Sequence, residues 1–283
     1  MMTKISTNKA KNLLNRNALL YKTTKCIQYH LKKIFIGYRN FSDIPGRTHF
    51  NDQSLVKGNI RHYKKVGESA VRLMESALRQ SDTVLHENSN ILDFPCGYGR
   101  VLRHIRQIFP QSRIYGGDID QKALDFCEKE FHIITVQSDT NFKKVKFPVF
   151  FDLIWVGSLC THIDSRDFRS LLETLITALK KRGILVFTTH GKESMNRLDS
   201  YGLGPVDVDS VQKELEKTGF VFRPYPGQTH YGISLCSREY VMDTIHQILG
   251  NKAKLIFYKI QGWDKHQDVF AYQKISSIVN DGF

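Results

Sequence analysis

"ILDFPCGYGRVLRHI", residues 91–105, joins an apolar run closed by an acid to a cramped turn and then to a helical pattern. Asp93, Pro95, Gly97 and Gly99 stand within seven residues. Glycine adopts backbone conformations closed to other residues and lets the chain approach a neighbouring group, and helix N-termini offer N–H groups to anions. Such a strand–turn–helix reads as a binding turn, and the flanking sequence decides its ligand.

Working outward, helix and strand patterns alternate. Val66, Ala70, Leu73, Met74, Ala77 and Leu78 recur at helical spacing ahead of the strand at 90–94. Val101, Leu102, Ile105, Ile108 and Phe109 mark one face of the helix after the turn. Further strands read at 113–118, 133–137, 151–156 and 183–189, with helices around Ala123–Cys127 and between Asp164 and Leu179. Five such alternations predict a doubly wound, mostly parallel α/β sheet. The runs 254–260 and 268–274 are separated by too few residues for a parallel crossover, so they should pair antiparallel. A helix is expected at 237–249, after a Gly/Pro/Tyr-rich insertion at about 194–235 that reads as a small cap.

Composition narrows the classes. The chain has 283 residues and a formal charge of +13, yet nine of its 41 basic residues lie in residues 1–42, which contain no Asp or Glu. The remainder carries 32 basic against 28 acidic residues, less basic than a polyanion-gripping domain, which argues against a nucleic-acid partner. The organisation expected is a basic extension over 1–45 and one domain over 46–283. The extension reads as a basic arm, as an organelle presequence, or as a segment drawn to an anionic membrane or nucleic acid. Five singly placed cysteines imply a reducing compartment, with neither a disulfide framework nor a metal site. No run is long and apolar enough for a transmembrane helix. A cytoplasmic location follows, or a mitochondrial one if residues 1–41 are a presequence.

Two ligands are excluded for the turn. A phosphate-cradling loop needs Gly-x-x-x-x-Gly-Lys-Ser/Thr, which is absent. A dinucleotide turn needs Gly-x-Gly-x-x-Gly, but the run from Gly97 places Leu102 at the third glycine.

"LDFPCGYGR" resembles the first motif of class I S-adenosylmethionine-dependent methyltransferases, in the variant with a Pro-Cys-Gly-x-Gly turn. Asp118, in "YGGDID", follows Gly99 by 19 residues, and a carboxylate there can accept both hydroxyls of a ribose. "QSD" (137–139), "FDLIWVGSLCTHI" (151–163) and "LKKRGILVFTTHG" (179–191) resemble later motifs in order. The resemblance covers roughly residues 60–275. It implies a Rossmann-like seven-stranded sheet with an antiparallel last strand and S-adenosylmethionine as cofactor. It places Asp93, Pro95, Cys96, Gly97, Gly99, Asp118, Ile119, Asp139, Gly157 and Ser158 around that cofactor. Ligands bind at the carboxyl ends of strands in such sheets, which makes His162 and His190 the catalytic candidates, with His230 and Tyr231 in the cap behind them. If the acceptor is a hydroxyl, one histidine should be a base titrating near neutrality. The expected reaction is methyl transfer to a small or extended polar acceptor, a sugar, lipid headgroup or metabolite, with oxygen the receiving atom. The alternatives are an RNA methyltransferase, weakened by "VGSL" where an Asn-Pro-Pro-Tyr-like motif would stand, and a non-catalytic cofactor-binding partner protein.

Overall fold

The computed structural model describes residues 45–57 and 59–275; the basic segment 1–42 and its possible presequence lie outside the described residues. The chain divides into two compact units after Tyr63. In the first, helix α1 (Gln53–Lys57) follows Asp52, whose carboxylate accepts the Ser54 N–H at 3.0 Å and the Tyr63 hydroxyl at 2.8 Å. Helix α2 (Ile60–Arg79) starts at the end of this unit and runs into the second.

The second unit is built on a seven-stranded sheet. Strands β1 (Asn90–Asp93), β2 (Arg113–Asp118), β3 (Ile134–Gln137), β4 (Phe151–Val156) and β5 (Leu179–Thr189) are parallel. Helices α3 (Leu102–Ile108), α4 (Gln121–Phe131) and α5 (Ser165–Thr177) connect them. Strands β8 (Ala253–Trp263) and β9 (Gln267–Lys274) complete the order β3-β2-β1-β4-β5-β9-β8, with β9 antiparallel to both neighbours. The sequence expectation of a mostly parallel sheet with an antiparallel last strand is met. Two apolar clusters flank the sheet: one gathers Phe151, Phe168, Phe187 and Phe270, the other Met74, Leu102, Trp155 and Trp263.

Several local expectations shift. β8 and β9 are longer than their apolar runs and close through a three-residue turn, because strand pairing continues into polar residues as far as Trp263↔Gln267. Helix α3 begins at Leu102 rather than Val101, and Ile108 is 47% exposed rather than core. The insertion is more ordered than its Gly/Pro content suggests. It holds helix α6 (Val208–Thr218), capped by Asp207 through the Ser210 N–H, and an antiparallel pair β6 (Phe220–Pro224) and β7 (Gly232–Cys236). Leu198, Val211, Leu215, Val221, Ile233 and Leu235 give it a small core of its own. Helix α7 (Arg238–Leu249) returns the chain to the sheet, starting on a Ser237 cap.

The paired glycines of "YGGD" are packing residues. A Cβ on Gly117 would stand 2.4 Å from the Phe94 ring, and one on Gly116 would stand 2.6 Å from Ile133. Phe94, Ile133 and Leu102 can therefore press onto β2 only because no side chain leaves the strand there.

His104 on α3 is buried with Nε2 unpartnered, and desolvation lowers its pKa to about 4. Its folded pKa lies below the ordinary 6.5, so between those values the unfolded chain binds a proton that the folded chain does not. Stability from this residue is present above pH 6.5 and is lost as pH falls toward 4. From pH 7.5 to 5, the wild type should lose about 1–2 kcal/mol more than a His104→Asn variant. Urea unfolding of both proteins at the two pH values checks this.

Candidate functional site

The carboxyl ends of β1 and β2 carry the turn. Asp93 closes β1 and is buried; its Oδ2 has no hydrogen-bond partner. Burial, reinforced by the nearby Asp118 carboxylate, raises its pKa well above the usual carboxylate value. The Phe94–Pro95 peptide is cis, and the Cys96 N–H donates to the Gly117 carbonyl at 2.9 Å. Cys96 is buried against Cys127, whose Sγ lies 3.3 Å from the Gly97 carbonyl. Gly97 (φ 49°) donates its N–H to Asp118 Oδ2 at 2.8 Å, and Asp118 Oδ1 accepts the Asp120 N–H at 2.9 Å. Burial raises the Asp118 pKa and these backbone bonds oppose the rise.

The two turn glycines differ in their surroundings. A Cβ on Gly99 (φ 79°) would stand 2.5 Å from the Phe131 ring, whereas beyond its chain neighbours no described atom lies within 4 Å of the Cβ position at Gly97. Gly99 is thus fixed by packing, and Gly97 borders open space over the turn. Arg103, buried on α3, fastens the turn from beneath: Nε donates to the Gly99 carbonyl at 2.9 Å and a terminal nitrogen to the Tyr98 carbonyl at 3.2 Å.

Beyond Asp118, Ile119 is 57% exposed at the same edge. Asp139 is half-buried and accepts the Asn141 N–H at 2.8 Å, forming a turn. After β4, Gly157 packs beneath Trp155 and Trp263, where a Cβ would stand 2.8 Å from the Trp155 indole nitrogen. Ser158 adopts φ 64°, held by a closed ring of bonds. Its N–H donates to Thr188 Oγ1 at 2.9 Å, Thr188 donates to Gln267 Oε1 at 2.6 Å, and Gln267 Nε2 donates to Ser158 Oγ at 2.9 Å.

His162 and His190 meet at this edge, with ring centroids 6.4 Å apart. They belong to a continuous aromatic wall. Tyr231 stacks on His162 at 5.0 Å and Tyr225 stands 5.7 Å beyond it. Tyr201 stacks on His190 at 4.8 Å, with His266 5.5 Å away. His162 Nδ1 pairs with the Gly232 carbonyl at 2.8 Å. The buried Nδ1 of His190 has no hydrogen-bond partner among the described residues. Desolvation dominates both histidines: the His162 pKa is lowered, and that of His190 falls to about 3. This corrects the expectation of near-neutral titration, because the cap strand β7 and the wall remove the water that would stabilise an imidazolium. His230 is exposed at the cap turn, away from this wall's ring contacts among the described residues. Tyr231 is 47% exposed, and burial together with the Asp118 charge raises the pKa of its hydroxyl.

Sequence reading missed Thr188, Tyr201, Tyr225, His266 and Gln267. They come from β5, the cap, the β8–β9 turn and the start of β9, and only the folded sheet brings them together.

The residues fit an S-adenosylmethionine-sized cation. An unpaired buried carboxylate oxygen lies under the turn, and Gly97 leaves room above it. A Rossmann-like sheet in the order above, with this turn after its first strand, defines a class I methyltransferase fold. Residues 91–183 match the family model described as "Methyltransferase domain". A malonyl-acyl-carrier-protein O-methyltransferase from Halalkalibacterium halodurans is 24% identical over 173 residues, 58% of this chain and 62% of that protein. The same-named enzyme from Calditerrivibrio nitroreducens is 24% identical over 181 residues, 61% of this chain and 64% of that protein. The chain thus spans less than two thirds of the length of these curated relatives. An S-adenosylmethionine-dependent methyltransferase from Clostridium acetobutylicum has a similar fold, with TM-score 0.54 and 12% identity, over 79% of this chain and 96% of that one. Residues 91–183 thus match a methyltransferase domain, and the sheet has the fold of an S-adenosylmethionine-dependent methyltransferase.

Proposed function

We propose that this protein transfers a methyl group from S-adenosylmethionine to an oxygen of a small or extended polar acceptor: a sugar, a lipid headgroup or another metabolite. The observation that carries the reading is the shared edge of the Gly97–Asp118 cradle and the His162–His190 wall. When bound, S-adenosylmethionine supplies a carbon already activated by its sulfonium. The chain's own residues have three tasks. Asp118 holds the turn and, in this reading, accepts the ribose hydroxyls. Asp93 offers its unpaired oxygen to the cationic amino-acid end, with Pro95, Cys96, Gly97 and Gly99 shaping the cradle; Ile119 and Asp139 flank the adenine, and Gly157 and Ser158 lie beneath the methyl donor. The aromatic wall excludes water and aligns the acceptor.

His190 is assigned to the acceptor hydroxyl. Its buried Nδ1 has no partner among the described residues and is the nitrogen assigned to accept the acceptor's proton. An imidazole that stays neutral down to about pH 3 is a weak base, so it orients the hydroxyl and takes the proton only as the oxygen–carbon bond forms. His162, turned toward Gly232 and stacked on Tyr231, shapes the opposite wall.

The same weak basicity supports a second reading, a carboxyl acceptor, which needs no base at neutral pH. The malonyl-acyl-carrier-protein O-methyltransferases named above are relatives in keeping with it. Incubating the protein and a small-molecule extract with methyl-labelled S-adenosylmethionine distinguishes the two. Label in an alkali-stable ether is the expected result; alkali-labile methanol-releasing label would give the carboxyl reading, and no transfer to any metabolite would overturn both. Unbridged Cys96, Cys127, Cys160 and Cys236 support a reducing compartment such as the cytoplasm. Among the described residues, no helix is long and apolar enough to cross a membrane.

A further inference from the structure

The segment "FKKVKFPVF", residues 142–150, runs from the end of β3 to the start of β4 and takes no part in the site. Phe142 and Val145 are buried, and Phe147 and Val149 are half-buried. Lys143, Lys144, Lys146 and Phe150 face solvent, with Phe150 61% exposed. Phe150 immediately precedes β4 and so lies at the amino-terminal edge of the sheet, opposite the Gly97 turn. Residues 140–150 hold three lysines and no Asp or Glu. Lys143 stands 3.9 Å from Glu173, whereas Lys144 and Lys146 have no carboxylate partner among the described residues. Beside Lys146 is a hollow of 540 Å³, lined by Val145, Phe147, Val149 and Phe150 against Thr177 and Ala178 of the α5 end, with the Lys143–Glu173 pair on its rim.

An exposed aromatic ring beside an apolar hollow is costly in water, and a rim of unpaired lysines selects a negative partner. We propose that this face docks on the surface of an anionic phospholipid bilayer, with Phe150 at the headgroup–acyl boundary and Lys144 and Lys146 on lipid phosphates. Lysines beside an anionic leaflet and an aromatic ring at the interface are the two attractions peripheral attachment combines. One alone gives weak, reversible binding; here both occur within seven residues. The attachment is independent of methyl transfer, because the cradle and aromatic wall occupy the other edge of the sheet.

Co-sedimentation of the full chain with phosphatidylcholine vesicles, with and without phosphatidylglycerol, tests the proposal. The wild type should sediment with the anionic vesicles only and be released by high salt. Lys144→Glu combined with Lys146→Glu should lower the partition coefficient by about twentyfold or more, since each lysine near an anionic surface contributes about fivefold. Phe150→Ser should lower it by about tenfold, as removal of a partly inserted ring does. Unchanged melting temperatures and S-adenosylmethionine affinity would show that these exposed substitutions leave the fold intact. Failure of the wild type to bind anionic vesicles overturns the proposal. Equal binding by wild type and both variants also overturns it.

Discussion

Asp118→Ala should weaken S-adenosylmethionine binding by roughly 1.5–3 kcal/mol, the scale of hydrogen bonds to a charged group. Two losses combine in that figure. The proposed ribose hydroxyls lose their acceptor, and Gly97 loses the 2.8 Å bond that fixes the turn. Asp118→Asn keeps one oxygen acceptor and should fall between wild type and Ala. Calorimetric titration of the three proteins gives the order directly; equal affinities would remove Asp118 from the cofactor site. Because the Asp118 carboxylate is buried, its charge also depends on acidity. Its pKa is raised, so cofactor binding should weaken as pH falls into the range just above ordinary carboxylate titration.

His190→Ala should lower turnover by about 10²–10³, the lower part of the range for proton-accepting side chains, while cofactor affinity changes little. The lower part applies because burial holds the imidazole at about 3, which weakens it as a base, while its buried Nδ1 has no partner among the described residues. His190→Asn, which retains an acceptor oxygen, should recover part of the rate. His162→Ala should cost less, since its Nδ1 is already engaged with Gly232 and Tyr225. Single-turnover rates with saturating acceptor separate these effects from binding. Near-wild-type rates in both Ala variants would remove both histidines from the proton path and favour the carboxyl acceptor.

Much of the fold was written in local pattern. "NILD" and "FDLIWV" are short runs built on consecutive apolar residues, Ile91–Leu92 and Leu153–Val156, as strands buried on both faces require, and helix α5 shows its buried face at Phe168, Leu171, Leu172, Leu175 and Ile176. The turn was legible because Gly97 and Gly99 both have positive φ, a requirement that leaves its mark on residue type. Helix α6 was not, because only Val211 and Leu215 are buried on an otherwise charged surface helix. Strand β6 was hidden by Arg223 and Pro224, whose place is set by pairing with Ile233 and Gly232. The aromatic wall was the least legible part. Tyr201, Tyr225 and His266 each look like an ordinary loop residue in sequence, and only separate segments converging on His162 and His190 join them with Tyr231 in a wall. The histidine titration was misjudged for the same reason, since desolvation depends on neighbours contributed by distant segments.

The central claim is that the Asp93–Gly99 turn and Asp118 form a cradle for S-adenosylmethionine, and isothermal titration of the full chain with S-adenosylhomocysteine tests it most directly. Saturable one-to-one binding in the micromolar range is the result expected, abolished when Gly97→Val fills the open space over the turn and unaffected by Phe150→Ser. No detectable binding by a wild-type protein that melts cooperatively would contradict it.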